Sequence, residues 1–465
     1  MFAKKTIYIF LAIVLVITAV SAYMEKSADK VVNFISGGLE AQMYKSSMEG
    51  YDLSDPEQVK YYVEDKTHYD VVVLSQDYKP STPEYKFIND EMYETVYCLN
   101  ENEFITKNQE AYNDCKKTYD EQVAFLKNYN WKTHIENEIR RLEEEVSLAK
   151  TTNLDENSIK SLKLQIDILK YRLENKIPID YSGASIALQR YSGAYDEYLQ
   201  YENEKNLVLY NDKRDKAEAE KEYFIYKYKF DHKLIQNTTR SLEEDTLATG
   251  AASIFSYNMF ALLFLVLVGG SVVAEEFNKG TIKQLLLKPF TRTKILTSKI
   301  IAVLVAFLFF LVVYSLMTVL IYGVTFGGWK SLVSPMIIYD YNTHVVLEHS
   351  LILVCLENLL AVLPLYLILL GVSLVFGVIT TNNTIATILP VLCTIAADII
   401  NAFADKKIFA FLPTMCWDLT QFLHGGLPEF RYSTLPISIG IDCISILILY
   451  GIAYYVFRKK NIKNQ

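Results

Sequence analysis

Uninterrupted apolar runs constrain this chain more than any other feature. A stretch of about 20 mainly apolar residues matches the roughly 30 Å hydrocarbon core of a bilayer. Six such stretches are present: 6–23 (TIYIFLAIVLVITAVSAY), 252–274, 299–323, 350–379, 384–404 and 434–457. The second, third and sixth are the clearest, and the fifth is the weakest because Pro390 and Asp398 interrupt it. Between the first and second lies a long polar segment, 24–250, which holds 44 of the 54 acidic residues but only 30 of the 46 basic ones. The hydrophobic fraction of 51% therefore averages two unlike parts. Nucleic-acid binding is disfavoured, because the acidic polar part repels phosphates.

Lys and Arg in short flanks are retained in the cytoplasm and set the orientation of the spans. Lys4 and Lys5 precede the first span; Lys279, Lys283, Lys288, Arg292, Lys294 and Lys299 lie between the second and third; Arg458, Lys459, Lys460 and Lys463 follow the last. With six spans, all three clusters fall on one side. The expectation is a multi-pass protein of the plasma membrane with both termini cytoplasmic and residues 24–250 extracellular. Val20-Ser21-Ala22 also resembles a signal-peptide cleavage site. Cleavage there would leave five spans and the same external placement.

Within 24–250, Ile135, Ile139, Leu142 and Val146 step by four, three and four, as do Leu162, Ile166, Leu169 and Leu173. That is the spacing of an apolar stripe on a helix, with Arg140, Glu144 and Lys163 on other faces. TTNLDENS at 151–158 separates the stripes, which predicts an antiparallel helical hairpin. A charged helical stretch over about 190–247 is expected to run into the second span. Val71-Val72-Val73-Leu74 reads as a buried strand. The fold class is thus an all-α integral membrane protein: six transmembrane helices and a mainly α-helical, coiled-coil extracellular domain. Its parts are the first helix (1–23), the external domain (24–250) and a five-helix membrane domain (251–465).

Several kinds of chemistry are missing from the sequence. None of the six His sits in a metal-type pattern such as HExxH, so no metal site is expected. GVTFGGWKS at 323–331 has Trp329 where a phosphate loop needs its Lys. No nucleophile elbow or kinase signature occurs, so no enzyme activity and no cofactor are expected in this chain. Cys98 and Cys115 lie in the external domain, where a disulfide suits the redox compartment, although spacing does not establish the geometry. Cys355, Cys393, Cys416 and Cys443 read as small apolar packing residues. Glu357, Asp398 and Asp442 fall inside spans, near their outer ends. An ionisable group at membrane depth costs roughly 2.5–3.5 kcal/mol for a central Asp on insertion scales, which makes the three functional candidates. Pairing or interfacial solvation, the lining of an outer vestibule and a role in cation movement all remain open for them.

The stretch EEFNKGTIKQLLLKPFTRTKILTSK, 275–299, joins an acidic pair, a Gly-Thr break, an apolar turn and a Pro amid basic residues. On its own it suits a short amphipathic helix on an anionic membrane surface. It also resembles the loop between the second and third spans of ABC-2-type export permeases. NWKTHIENEIRRLEEE and YRLENKIPID resemble the external insertion found in a subset of that family from Gram-positive bacteria. The resemblance covers the first span and about 250–460. It implies a permease subunit of an ATP-driven exporter, working as a homodimer or heterodimer, with ATP and Mg on a separate ABC ATPase subunit. It further implies that Glu275, Glu276, Gly280, Thr281, Leu286, Pro289 and Arg292 contact that ATPase. A non-transporting membrane protein of the phage-receptor or secretion-accessory sort is the alternative. Nothing in the spans identifies a cargo.

Overall fold

Helix-starting signals recur along the chain, and most of them are used. The structure, a computed structural model, describes residues 2–34, 39–79, 82–152, 155–180, 182–202, 210–235, 247–278, 281, 290–403 and 406–460. Two compact units are formed: a polar unit (23–205 and 226–245) and an apolar unit (1–22, 206–225 and 246–465).

After α1 (Phe2–Phe34), the helices are α2 (Glu40–Met48), α3 (Pro56–Ser75), α4 (Pro83–Asp90), α5 (Met92–Phe104), α6 (Gln109–Lys127), α7 (Trp131–Thr152), α8 (Glu156–Asn175), α9 (Gly183–Glu202) and α10 (Tyr210–Asp231). Asp55 and Thr82 accept hydrogen bonds from the first-turn amides of α3 and α4, and Pro56 and Pro83 occupy the first helical position. The expected strand at Val71–Leu74 is instead part of α3. Val63, Thr67, Val71 and Ser75 recur every four residues and are all buried. This helical stripe outweighs the preference of β-branched residues for strands. Around it Phe87, Ile88, Met92, Val96 and Leu126 close a small core.

The helices α7 and α8 form the expected hairpin. Ile135, Leu142 and Ile166 are buried, Asp155 caps α8, and Lys170 Nζ meets Glu143 Oε1 across the pair at 2.8 Å. The expected charged helical stretch over about 190–247 is helical as far as Asp231, in α9 and α10, and is interrupted there, since Lys233 has a positive φ of 57°; residues 203–209 and 236–246 lie outside the described residues. Arg172, within YRLENKIPID, has a structural role. Its buried guanidinium donates to the Pro178 carbonyl at 2.8 Å, and to Ser185 Oγ and O at 3.0 and 3.2 Å. Burial pushes its pKa down to about 10, against the opposing pull of Asp180, so the group stays cationic at neutral pH.

The apolar unit contains α11 (Leu247–Ser253), α12 (Met259–Asn278), α13 (Arg292–Phe326), strands β1 (Met336–Asp340) and β2 (Val345–His349), α14 (Leu351–Thr380), α15 (Asn383–Phe403) and α16 (Leu435–Lys459). Among the described residues, five helices, α12 to α16, are long and apolar enough to cross a membrane; the apolar stretch of α1, Tyr8–Met24, is shorter. On α13, Val305, Phe309, Val312 and Leu316 recur by four, three and four and are 50–61% exposed. A stripe of that kind suits contact with lipid rather than water.

The second span begins later than its hydropathy suggests. Asn258 Oδ1 accepts from the Phe260 and Ala261 amides and starts α12 afresh. The buried Tyr366 hydroxyl donates to the Ser256 carbonyl at 3.0 Å, which fixes the preceding bend. Gly269 and Gly270 let helices approach closely, since a Cβ at Gly270 would lie 2.9 Å from the Ala386 carbonyl oxygen. The all-α expectation also misses one element. Strands β1 and β2 pair antiparallel from Met336↔His349 to Asp340↔Val345. Their β-branched runs flank a turn in which Asp340 Oδ1 accepts from the Asn342 amide at 2.9 Å.

Cys98 and Cys115 are joined by a disulfide that links α5 to α6, with Cα atoms 6.1 Å apart. A loop of this size predicts that Cys98→Ser/Cys115→Ser lowers the stability of the polar unit by about 2–4 kcal/mol. The measurement is the denaturant midpoint of a far-ultraviolet unfolding transition; a midpoint that does not move would show that the bond contributes nothing.

Candidate functional site

Charged residues gather at one end of the apolar unit, where α12, α14 and α16 finish and α13 begins. The last C=O groups of a helix have no partner within it, and that end of the dipole attracts cations. Arg292, at the start of α13, donates through Nη1 to the carbonyls of Arg458 and Lys460, each at 2.9 Å, and of Phe457 at 3.5 Å. Lys460 in turn donates through Nζ to the Val378 carbonyl and, at 2.9 Å, to that of Ile379 near the end of α14. Its ammonium also lies 5.1 Å from the ring centre of Phe277 on α12.

The α12 end is tied to α13 as well. Glu276 Oε1 accepts from Lys299 Nζ at 2.6 Å, and the Thr281 hydroxyl donates to the other oxygen of the same carboxylate. Four helix ends are thus linked into a closed polar collar. Of the residues expected on this loop, Glu276, Thr281 and Arg292 belong to the collar. Glu275 is half-buried on the last turn of α12. Gly280, Leu286 and Pro289 lie outside the described residues.

The opposite end of the unit holds the intramembrane carboxylates. Asp442 on α16 is 2% exposed, and among the described residues neither of its oxygens, nor the Ser438 hydroxyl one turn before it, has a hydrogen-bond partner. The side chain of Asp398 lies outside what is described. A cavity of about 500 Å³ nearby is lined in part by Tyr257, Leu365, Thr394, Trp417, Asp418 and Gln421. Pro364 opens the backbone of α14, and the Ala361 carbonyl there accepts from the Leu419 amide at 3.1 Å. That bond holds the segment after α15 against the helix.

Glu357 has partners that sequence reading misses. His349 Nδ1 lies 3.2 Å, and His424 Nε2 3.4 Å, from Glu357 Oε2. The three residues come from β2, α14 and the segment after α15, so no local spacing rule relates them. The signals that could have raised them are weak ones: a Glu within an apolar run, and two of the six His between such runs.

Five helices of spanning length, α13 among them with a lipid-type stripe, define the class, a multi-pass membrane protein. The chain belongs to the family described as Protein of unknown function (DUF2705), which it matches over residues 223–463. Two relatives come from Bacillus subtilis (strain 168). Uncharacterized protein YhcI is 26% identical over 211 residues, spanning 45% of this chain and 67% of the relative. Uncharacterized membrane protein YdbK is 26% identical over 213 residues, spanning 45% of this chain and 80% of the relative. No solved structure matches.

These findings correct the resemblance to ABC-2-type permeases, because the matched family is a different one and neither relative carries that designation. The physical reason is that the quoted motif is generic. An acidic pair, a helix break, an apolar turn and basic residues are what many chains need to leave and re-enter a bilayer surface.

The collar gives a direct prediction. In a double-mutant cycle of Glu276→Gln and Lys299→Met, a coupling of about 1–3 kcal/mol is expected, between the small value of exposed pairs and the 3–5 kcal/mol lost on breaking buried ones. Thermal unfolding of the detergent-solubilised protein reads it, and additivity of the two substitutions would show the pair to be energetically idle.

Proposed function

We propose that this chain is the membrane-spanning subunit of an ATP-driven export machine, with ATP and Mg handled by a separate ATPase subunit. The observation that carries this reading is the collar. A motor that moves helices from outside the membrane needs a stiff point of attachment, and rigid-body displacement is the usual means of transmission. Tying the ends of α12, α13, α14 and α16 by charge-assisted bonds, worth about 1.5–3 kcal/mol each, provides one. A load applied between Asn278 and Arg292 would reach four helices together, whereas a loose tether would absorb it.

The distribution of Lys and Arg supports a cytoplasmic collar, both termini inside, a sixth span near the N-terminus and an external helical unit in the plasma membrane. The cavity near Leu365 and Trp417, together with buried Asp442, supplies the polar interior that a pathway requires. Two such subunits, identical or different, would face each other across the pathway.

The test is photo-crosslinking in intact cells from a photoreactive residue at Phe290, which is 59% exposed at the mouth of the loop. The expected product is an adduct with a nucleotide-hydrolysing subunit, absent when the same residue replaces exposed Tyr61 in the polar unit. Adducts with lipid alone, or equal capture from both positions, would reject the reading in favour of a membrane protein without a motor.

A further inference from the structure

Two imidazoles and a carboxylate converge on one point at the end of the apolar unit opposite the collar. Their donor atoms, His349 Nδ1, Glu357 Oε2 and His424 Nε2, all lie within 4.8 Å of one another. We propose that His349, Glu357 and His424 form a binding site for a divalent transition-metal ion of the Zn²⁺ class.

The distances suit coordination. Zn²⁺ holds imidazole nitrogen at about 2.0–2.1 Å and carboxylate oxygen at about 2.0–2.2 Å, so donors around a tetrahedral ion stand roughly 3.3–3.5 Å apart. The two edges from Glu357 Oε2 are 3.2 and 3.4 Å. The third edge is no longer than 4.8 Å, and the two rings meet edge to face with centres 5.3 Å apart.

Each ligand is also held by its own local structure. His349 occupies the last rung of the hairpin, opposite Met336, and the next residue, Ser350, caps α14 through its hydroxyl. Glu357 sits in the second turn of α14. His424 adopts a left-handed conformation, φ 54°, that breaks its helical turn, and its carbonyl accepts from the Tyr341 amide at 2.8 Å. Gly425 follows at φ 82°, where a Cβ would collide with the Asn342 side chain. The missing Cβ at Gly425 is what lets the His424 segment lie against the hairpin turn.

The chemistry of the donors sets the class of ion. Two neutral imidazoles and one carboxylate suit Zn²⁺ and its transition-metal neighbours. Ca²⁺ and Mg²⁺ prefer all-oxygen shells, so two imidazoles beside a single carboxylate disfavour them. Three protein ligands leave a fourth position for water or for a donor group on another molecule. A bound ion would fasten the hairpin and the His424 loop to α14. The proposal stands apart from the export reading, since it uses no residue of the collar.

The test uses untagged full-length protein in detergent, stripped with chelator and dialysed against Zn²⁺. One Zn²⁺ per chain is expected by elemental analysis, with no comparable uptake of Ca²⁺. His349→Asn/His424→Asn should weaken binding by well over the ~10-fold that loss of an outer-shell partner costs, while the size-exclusion profile stays that of the parent. As a check needing no variant, Zn²⁺ should protect His349 and His424, but not His232, from a histidine-modifying reagent read by mass spectrometry. Absence of Zn²⁺ uptake, uptake undiminished in the double variant, or equal modification with and without Zn²⁺ would overturn the proposal.

Discussion

Carbonyl groups left without partners at helix C-termini organise one whole end of this molecule. A helix that stops at the edge of a bilayer exposes its final carbonyls, and each buried one that stays unpaired costs several kcal/mol in an apolar setting. Arg292 and Lys460 meet that need for α16 and α14. A guanidinium or ammonium is well suited to the task, because it supplies several donors and a positive charge at the negative end of the helix dipole. The basic residues that sequence analysis reads as signals of orientation therefore have a second use as the bonds that fasten one helix end to the next. The two uses are compatible, since a cation directed at carbonyls still prefers the aqueous side of the interface.

The two ends of the apolar unit follow different logic. At the collar, the charges are mutually satisfied: Glu276 answers Lys299, and Arg292 and Lys460 answer backbone. At the opposite end the polar groups are less completely matched. Asp442 is buried with neither oxygen bonded among the described residues, and Glu357 Oε2 faces two imidazoles at once. Satisfied networks stiffen a structure, whereas a buried group lacking a partner marks a place where something else is expected to bind or move. Stiffness at one end and less completely matched polar groups at the other are the contrast from which the export proposal and the metal-site proposal each start.

Much of this arrangement was legible in the chain. The apolar runs locate α12 to α16, because hydropathy over some 20 residues reports a bulk transfer energy that local detail scarcely alters. The α7–α8 hairpin was equally plain from its stripes. What escaped reading depends on single contacts. The late start of α12 turns on the Asn258 cap and the Tyr366 hydroxyl, 108 residues away from it. The helical fate of Val71–Leu74 turns on Val63 and Thr67, which place Val71 on a buried face. His349 and His424 are brought together by a hairpin and a left-handed turn, neither of which leaves a periodic trace. The stretch 275–299 is the opposite case: its pattern is easy to see, but it is one that leaving and re-entering a bilayer surface calls for in general, so pattern alone points to the wrong family.

The extent of the family match bears on which features can belong to the shared activity. It runs from 223 to 463 and leaves out nearly all of the polar unit. The collar residues Glu276, Arg292, Lys299 and Lys460, the buried Asp442 and the three donors around Glu357 all fall inside it. The disulfide and the buried Arg172 fall outside. The matched stretch thus covers most of the apolar unit and, of the polar unit, only residues 226–245. The polar unit has its own core and cross-link, which show that it is a folded element rather than a linker.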